Sequence, residues 1–336
     1  MSKKSKLSIG FDIGSSYIKA VKIEQSNHLY LIKDFLLKKI SSSDSLPALI
    51  KDTLKKINPQ NIPVNISLSG QNVVCRYANI PILGEEEFKN ALKFEITKYI
   101  PFSPQEIYFD GCILKRDIQH NKMFVLMVAV KKEYLNQRIN LVKEAGFSVN
   151  LVHVDSLVLA DCFNFSFSKP TDLANKTLAV LNIGSSFSNL NILEENSPVL
   201  SRDIRIAGNE ITSRISMDLS CSPEDAEKIK IQASTDESQL QRIKPSLENI
   251  LSLLAQELRI SFDYYESQSV STVEKLYLCG GQLLLKNIAD ILSHYLGMET
   301  SIFDPINGFE FHKDLDAEEI KKNSLQLAIA LGLALR

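Results

Sequence analysis

The chain reads as an α/β protein built from two related lobes, and three observations lead there. The first is an internal repeat. Gly10-Phe11-Asp12-Ile13-Gly14-Ser15-Ser16-Tyr17-Ile18-Lys19 returns 170 positions later as Val180-Leu181-Asn182-Ile183-Gly184-Ser185-Ser186-Phe187-Ser188-Asn189. Each copy has an apolar strand, a Gly-Ser-Ser turn and a second strand, and a unit that recurs at half the chain length implies two like lobes facing one another. The second is a further glycine site, where an apolar strand from Val273 to Leu278 runs into Cys279-Gly280-Gly281-Gln282. The third is bulk: 336 residues, 44% hydrophobic and 23% charged, are globular values and too many for one core.

Element by element, a first hairpin places its second strand at Tyr17 to Glu24. Acids in the first turn, apolar residues at Phe88, Leu92, Ile96 and Tyr99, and a stop at Pro101 predict a helix from Glu85 to Tyr99. Strands around Phe109 to Lys115 and Phe124 to Lys131 and a helix from Lys132 to Gly146 follow. The second hairpin returns along Phe187 to Glu194. A helical stretch from Glu210 to Ser267 includes the polar loop Ser234 to Ser238, which receives no chemical role. A helix from Leu284 to Leu296 follows the glycine pair, and Asp314 to Lys322 reads as a solvated helix face.

Composition removes several function classes. A net charge of -2 gives no field for nucleic acid or an acidic membrane, and Lys3-Lys4 and Lys131-Lys132 are too short to change that. The five cysteines form no CxxC pair and are expected as buried free thiols in a reducing compartment. The amino terminus passes from basic residues straight into a strand, and no run approaches the ~20 apolar residues of a membrane span. A cytoplasmic protein without direct membrane insertion is expected. His28, His120, His153, His294 and His312 have no metal-ligand spacing and read as surface or turn residues, with His153, two before Asp155 on a strand, a candidate to face a cleft. No Gly-x-Ser-x-Gly elbow or Cys/His pairing supports a covalent hydrolase.

The Gly-Ser-Ser turns suit a phosphate. Successive backbone N–H groups in a tight turn form an anion-binding nest, and small side chains allow close approach. Gly14 and Gly184 are expected where φ turns positive. Ser15, Ser16, Ser185 and Ser186 add hydroxyls, Lys19 adds a point charge, and Asp12 is placed to hold a hydrated magnesium ion. Two opposed hairpins would grip ATP from both sides.

At these motifs the chain resembles the actin-like ATPase superfamily, and within it the PilM proteins of type IV pilus assembly and the division protein FtsA. FDIGSSYIKAVKIE and LNIGSSFSNLNIL are similar to the two phosphate motifs, YLCGGQLLLKNIADIL to the adenosine motif, and HVDSLVLADCF and LAIALGLALR to the connecting helices. Pro223 to Lys230 is similar to the helix whose Glu and Lys face ribose and adenine. The narrower PilM resemblance rests on Ile80 to Phe102, a helix ending in Tyr-Ile-Pro-Phe.

The resemblance implies a duplicated ribonuclease H-like fold with an FtsA-type inserted subdomain, and ATP with Mg2+ as cofactors. Lobe one would hold residues 1–83, 149–175 and 325–336, each lobe being built on a five-stranded sheet. The insertion would run over 84–148, and lobe two over 176–324 with a helical insertion at about 210–267. It further implies Glu227, Lys230, Gly280, Gly281 and Gln282 as the adenosine contacts and Asp155 as the water-positioning residue. Asn182 stands where the superfamily carries an aspartate, a weaker second candidate for the metal that makes fast hydrolysis doubtful and leaves at most a slow ATPase. Ala207-Gly208-Asn209 replaces a frequent glycine pair.

The implied function is an assembly protein of the inner-membrane pilus complex, peripheral to the membrane, docking the amino-terminal tail of a PilN-like membrane partner between lobe one and the insertion. Self-association is left open. An FtsA-like division filament needs an amphipathic anchor, and the chain ends at Leu335-Arg336 directly after the last connecting helix. A type II secretion component is a further alternative, and a small-molecule kinase lacks a base signature here.

Overall fold

The computed structural model describes residues 5–27, 29–41, 45–58, 60–118, 121–167 and 176–336. Lys3-Lys4, His28, His120 and the lobe boundary expected at residue 175 lie outside them. In chain order the elements are β1 (Lys6–Ile13), β2 (Tyr17–Ser26), β3 (Leu29–Lys39), α1 (Leu46–Ile57), β4 (Val64–Leu68) and β5 (Val73–Pro81). There follow α2 (Glu85–Tyr99), β6 (Ile107–Ile118), β7 (Lys122–Lys131), α3 (Lys132–Glu144), β8 (Val149–Val154) and α4 (Asp155–Ser166). The second half has β9 (Thr177–Ile183), β10 (Ser188–Glu194), β11 (Ser197–Ile204), α5 (Gly208–Leu219), α6 (Pro223–Gln232) and α7 (Glu237–Glu266). It closes with β12 (Lys275–Cys279), α8 (Ile288–Leu296), β13 (Glu299–Ile302), β14 (Glu310–Phe311), α9 (Ala317–Asn323) and α10 (Ala328–Ala334).

Three sheets organise these elements, in the orders β14-β3-β2-β1-β4-β8, β11-β10-β9-β12-β13 and β5-β7-β6. In the first two sheets the repeat hairpins occupy the same place: β1 pairs antiparallel with β2 and parallel with β4, while β9 pairs antiparallel with β10 and parallel with β12. The duplicated sequence therefore produces duplicated topology.

Three sequence expectations are corrected. The first sheet has six strands rather than five, because the chain returns from the second lobe and lays β14 parallel to β3. Strand β5, expected within lobe one, pairs with β7 throughout its length and belongs to the small sheet. Helix α3, expected within the insertion, sends Val142 into the core beneath β1, β4 and α1, with Ala145 just past its end.

Long-range burial explains how the lobes are held. One apolar cluster unites Val21, Ile23 and Ile32 of the first sheet with Leu178, Val180 and Tyr277 of the second, around α4 and α10. A Cβ on Gly332 of α10 would lie 2.0 Å from the Val158 carbonyl oxygen of α4, so only glycine permits this crossing. The second lobe packs α7 through Leu240, Ile243, Leu247, Leu251, Leu254 and Leu258, a helical-period stripe. The small sheet packs its other face on α2 through Phe88, Leu92 and Ile96, while the expected apolar Tyr99 is 36% exposed.

The small sheet touches both lobes. A modest cluster of Leu126, Val154 and Leu157 joins it to the first. Towards the second, the Tyr77 and Ser201 hydroxyls hydrogen-bond at 2.7 Å, and Lys115 pairs with Glu194 and Glu195 at 3.4 and 3.3 Å. The cysteine expectation holds in part: Cys162 and Cys279 are buried free thiols, Cys75 and Cys221 are half-buried, and Cys112 is exposed.

Candidate functional site

The two Gly-Ser-Ser turns meet. Ser186 Oγ donates to Ser15 Oγ at 2.8 Å across the gap between lobes. Both turns close identically, with Gly14 N donating to Tyr17 O and Gly184 N to Phe187 O, each at 3.1 Å. Neither glycine has a positive φ, contrary to the sequence expectation. The cause is close approach instead: a Cβ at Gly14 would lie 2.7 Å from Tyr17 O, and one at Gly184 2.8 Å from Phe187 O. The second turn is further tied to the start of α5, where Gly208 N and Asn209 N donate to Gly184 O and Ser185 O.

Beneath the turns lies a cavity of about 300 Å³. It is lined by Asp12, Gly14, Ser15, Ser16, Lys19, Asp155, Asn182, Gly184, Ser185, Ser186, Glu227, Lys230, Gly281 and Gln282, so the sequence candidates converge on one site. Gly280 is the exception. Its φ of +110° and the 2.8 Å bond from its N to Leu325 O make it a buried turn residue beside the end of β9. The expected helix from Leu284 is also shorter, because the chain makes a 3-10 turn at Gly281–Leu284 before α8 begins at Ile288.

The hairpin registers contain a telling substitution. In the first, Asp12 faces Lys19 across the ladder and the two pair at 2.8 Å. The same positions in the second are Asn182 and Asn189, joined by a bond from Asn182 Nδ2 to Asn189 Oδ1 at 2.9 Å. Asn189 Nδ2 continues to Asp203 Oδ1, whose other oxygen accepts from Gly70 N at 2.6 Å in the opposite lobe. One hairpin offers charge, the other neutral amides.

Asp155 opens α4, opposite Asp12. Burial first, and the Asp12 carboxylate second, push its carboxyl up to about 6, and the Ser67 and Ser69 hydroxyls draw it partly back. Two facing carboxylates under this strain suit a cation between them. Among the described residues no cluster of three or more His, Cys, Asp or Glu exists that would hold a metal without help from a ligand.

Also lining the cavity, α6 presents Glu227 and Lys230, an ion pair at 2.8 Å. Lys230 is buried and donates to Gly208 O and Thr212 Oγ1 as well, which occupies its ammonium fully. Burial lowers its pKa, with Glu227 opposing. Glu227 is the more exposed member; its Oε2 accepts from Thr212 Oγ1 as well as from Lys230, which leaves Oε1 to meet a ligand hydroxyl. Gln282 packs over the bare Cα of Gly208, where a Cβ would collide at 2.4 Å.

Several lining residues escaped the sequence reading as site candidates: Tyr17, Ser67, Ser69, Tyr134 and Arg138; Ser234, expected as a polar loop residue without a chemical role, also lines the cavity. Ser67 near the end of β4 and Ser69 just past it set two small hydroxyls before Gly70, a signal that could have been noticed. Tyr134 and Arg138 stand four apart on α3 and have no motif. His153 faces away from the cleft; its Nδ1 accepts from Val154 N, and its ring lines a separate groove of about 350 Å³ between β8 and β6/β7.

Repeat-related lobes, opposed phosphate-type turns and two crossed connecting helices define the actin-like ATPase fold. Solved structures agree. The chain is similar to one from a PilM-PilN type IV pilus biogenesis complex (24% identity, 98% of each chain, TM-score 0.85). It is also similar to the ethanolamine utilization protein EutJ from Carboxydothermus hydrogenoformans (13% identity, 100% and 91% of the two chains, TM-score 0.57) and to MreB5 of Spiroplasma citri bound to AMPPNP (13%, 98% and 95%, 0.51). The sequence pattern of the type IV pilus assembly protein PilM family matches residues 10–336. The chain belongs to that family, and neither the division nor the secretion alternative is favoured.

Proposed function

We propose that this chain is an ATP-binding assembly protein of type IV pilus biogenesis, which clamps Mg-ATP between its lobes and docks the amino-terminal tail of a PilN-like membrane protein. The contact between Ser15 and Ser186 carries the first half of the reading, since it brings both turns over one cavity. In this reading the turn amides and serines receive the phosphates with Lys19, while Glu227, Gly281 and Gln282 receive the adenosine. Asp12 and Asp155 fit Mg2+, which keeps several waters and takes one or two carboxylates beside substrate phosphates. Bound magnesium would neutralise phosphate charge. Asn182 supplies no second acid, so turnover is slow and the nucleotide acts mainly by holding the lobes together.

The tail's place is the groove between lobe one and the small sheet. Tyr108, Phe109, Leu126, Val128 and Leu135 give it apolar walls, and β6 and β8, the free edges of their sheets, flank it. An extended segment can pair with such an edge while its side chains enter the walls. The likeness to a chain of a PilM-PilN complex supports a partner of that kind. Among the described residues no helix is long and apolar enough to cross a membrane, which suits a cytoplasmic protein held at the inner membrane through its partner.

Titration with the synthetic tail of the PilN-like partner tests this. Leu135→Asp, which puts a charge in the groove, should weaken tail binding about tenfold or more while leaving nucleotide binding intact. Equal tail affinity in both proteins would place the partner elsewhere.

A further inference from the structure

We infer that Arg138 is a second basic contact for the terminal phosphate, after Lys19, and that it makes the cleft distinguish nucleoside triphosphate from diphosphate. The inference rests on the nucleotide reading above. Among the described residues three cations line the cavity: Lys19, Lys230 and Arg138. Lys230 is saturated by Gly208 O, Thr212 Oγ1 and Glu227, and Lys19 is engaged by Asp12. Arg138 differs from both. Among the described residues it pairs with no carboxylate; its guanidinium makes two long hydrogen bonds, 3.4 Å to Ile13 O and 3.4 Å to the Tyr134 hydroxyl, and otherwise lies over the Tyr134 ring. Five donors are available on that group, so several remain for an anion.

Its position specifies which anion. Ile13 lies between Asp12 and the first Gly-Ser-Ser turn. Tyr134, whose ring lies 5.4 Å from the guanidinium carbon, donates to Ser69 O beside Asp155. Arg138 therefore stands on the Asp12 and Asp155 side of the cleft, while Glu227 of α6 and Gln282 of the turn after β12 also line it. A nucleotide with its adenosine among the latter brings its last phosphate to the former. A planar guanidinium can meet two phosphate oxygens together, whereas a diphosphate leaves that position vacant.

The test uses the full chain and compares a magnesium-bound, non-hydrolysable triphosphate analogue with Mg-ADP by calorimetry, in wild type, Arg138→Gln and Arg138→Lys. Arg138→Gln should weaken the triphosphate about tenfold or more and the diphosphate less than about twofold, with Arg138→Lys between. Equal losses for both nucleotides, or none, would overturn the inference. Melting of the ligand-free variants checks folding, and if the glutamine variant is unfolded the lysine variant is judged by the same selectivity. Wild type binding neither nucleotide is a different result, which would remove the nucleotide reading itself.

Discussion

Asp155 is a buried acid of the cleft whose carboxyl is strongly perturbed. Its carboxyl is held up to about 6 by burial and by Asp12, well above the ordinary value of 3.8. An acid raised in the folded state gives stability that is complete below about pH 4 and is lost as the pH climbs through about 6. Over that window wild type should lose about 1–3 kcal/mol relative to Asp155→Asn, as read from urea midpoints between pH 4 and 7.5. Parallel pH profiles for the two proteins would show that Asp155 is not so perturbed. The same deprotonation favours a cation, so magnesium-dependent nucleotide binding should strengthen across the same range. Asp12, Lys19 and the four turn serines were legible in the sequence because motif and turn chemistry are local. Arg138 and Tyr134 were not, since an ordinary helix residue acquires a role only when tertiary packing turns it toward the cleft. Gly280 was misread for the converse reason: a glycine pair at a strand end suggests bare backbone for a ligand, but here the first glycine supplies φ and only the second faces the cavity.

Among elements, the small sheet differs in its anchoring from the others. It rests on lobe one through a modest apolar cluster and on lobe two through polar contacts, foremost Tyr77 with Ser201. Ser201 Oγ continues to Asn191 Oδ1, and Asn191 Nδ2 donates to the Ser156 carbonyl next to Asp155. Tyr77→Phe should cost about 0.5–1.5 kcal/mol in urea unfolding and increase amide exchange in β5 and β11. Unchanged exchange in both strands would mean that the hydroxyl contact does not hold the sheet. Helix and strand identities were readable here because α2 has an apolar stripe at Phe88, Leu92 and Ile96 and acids in its first turn. The sheet to which β5 belongs, and the excursion of β14 into the first sheet, depend on long-range pairing that a single strand's pattern does not encode. Helix α3 illustrates the same limit: its sequence follows β7 without a break, yet Val142 is buried with lobe one, Arg138 faces the cleft and Leu135 the groove.

At the scale of the whole molecule, the repeat spaced by 170 residues becomes two sheets of like topology, joined by α4 and α10 through one apolar cluster. That joint leaves the turns opposed with a cavity below them, and a ligand bridging both turns stabilises the closed arrangement by mass action. The direct measurement is the melting temperature of the full chain with and without millimolar Mg-ATP. At about 1,000 times its dissociation constant the ligand adds ~4 kcal/mol, which predicts a rise of several degrees, reduced in Lys19→Ala. No rise at saturating Mg-ATP would contradict the clamp.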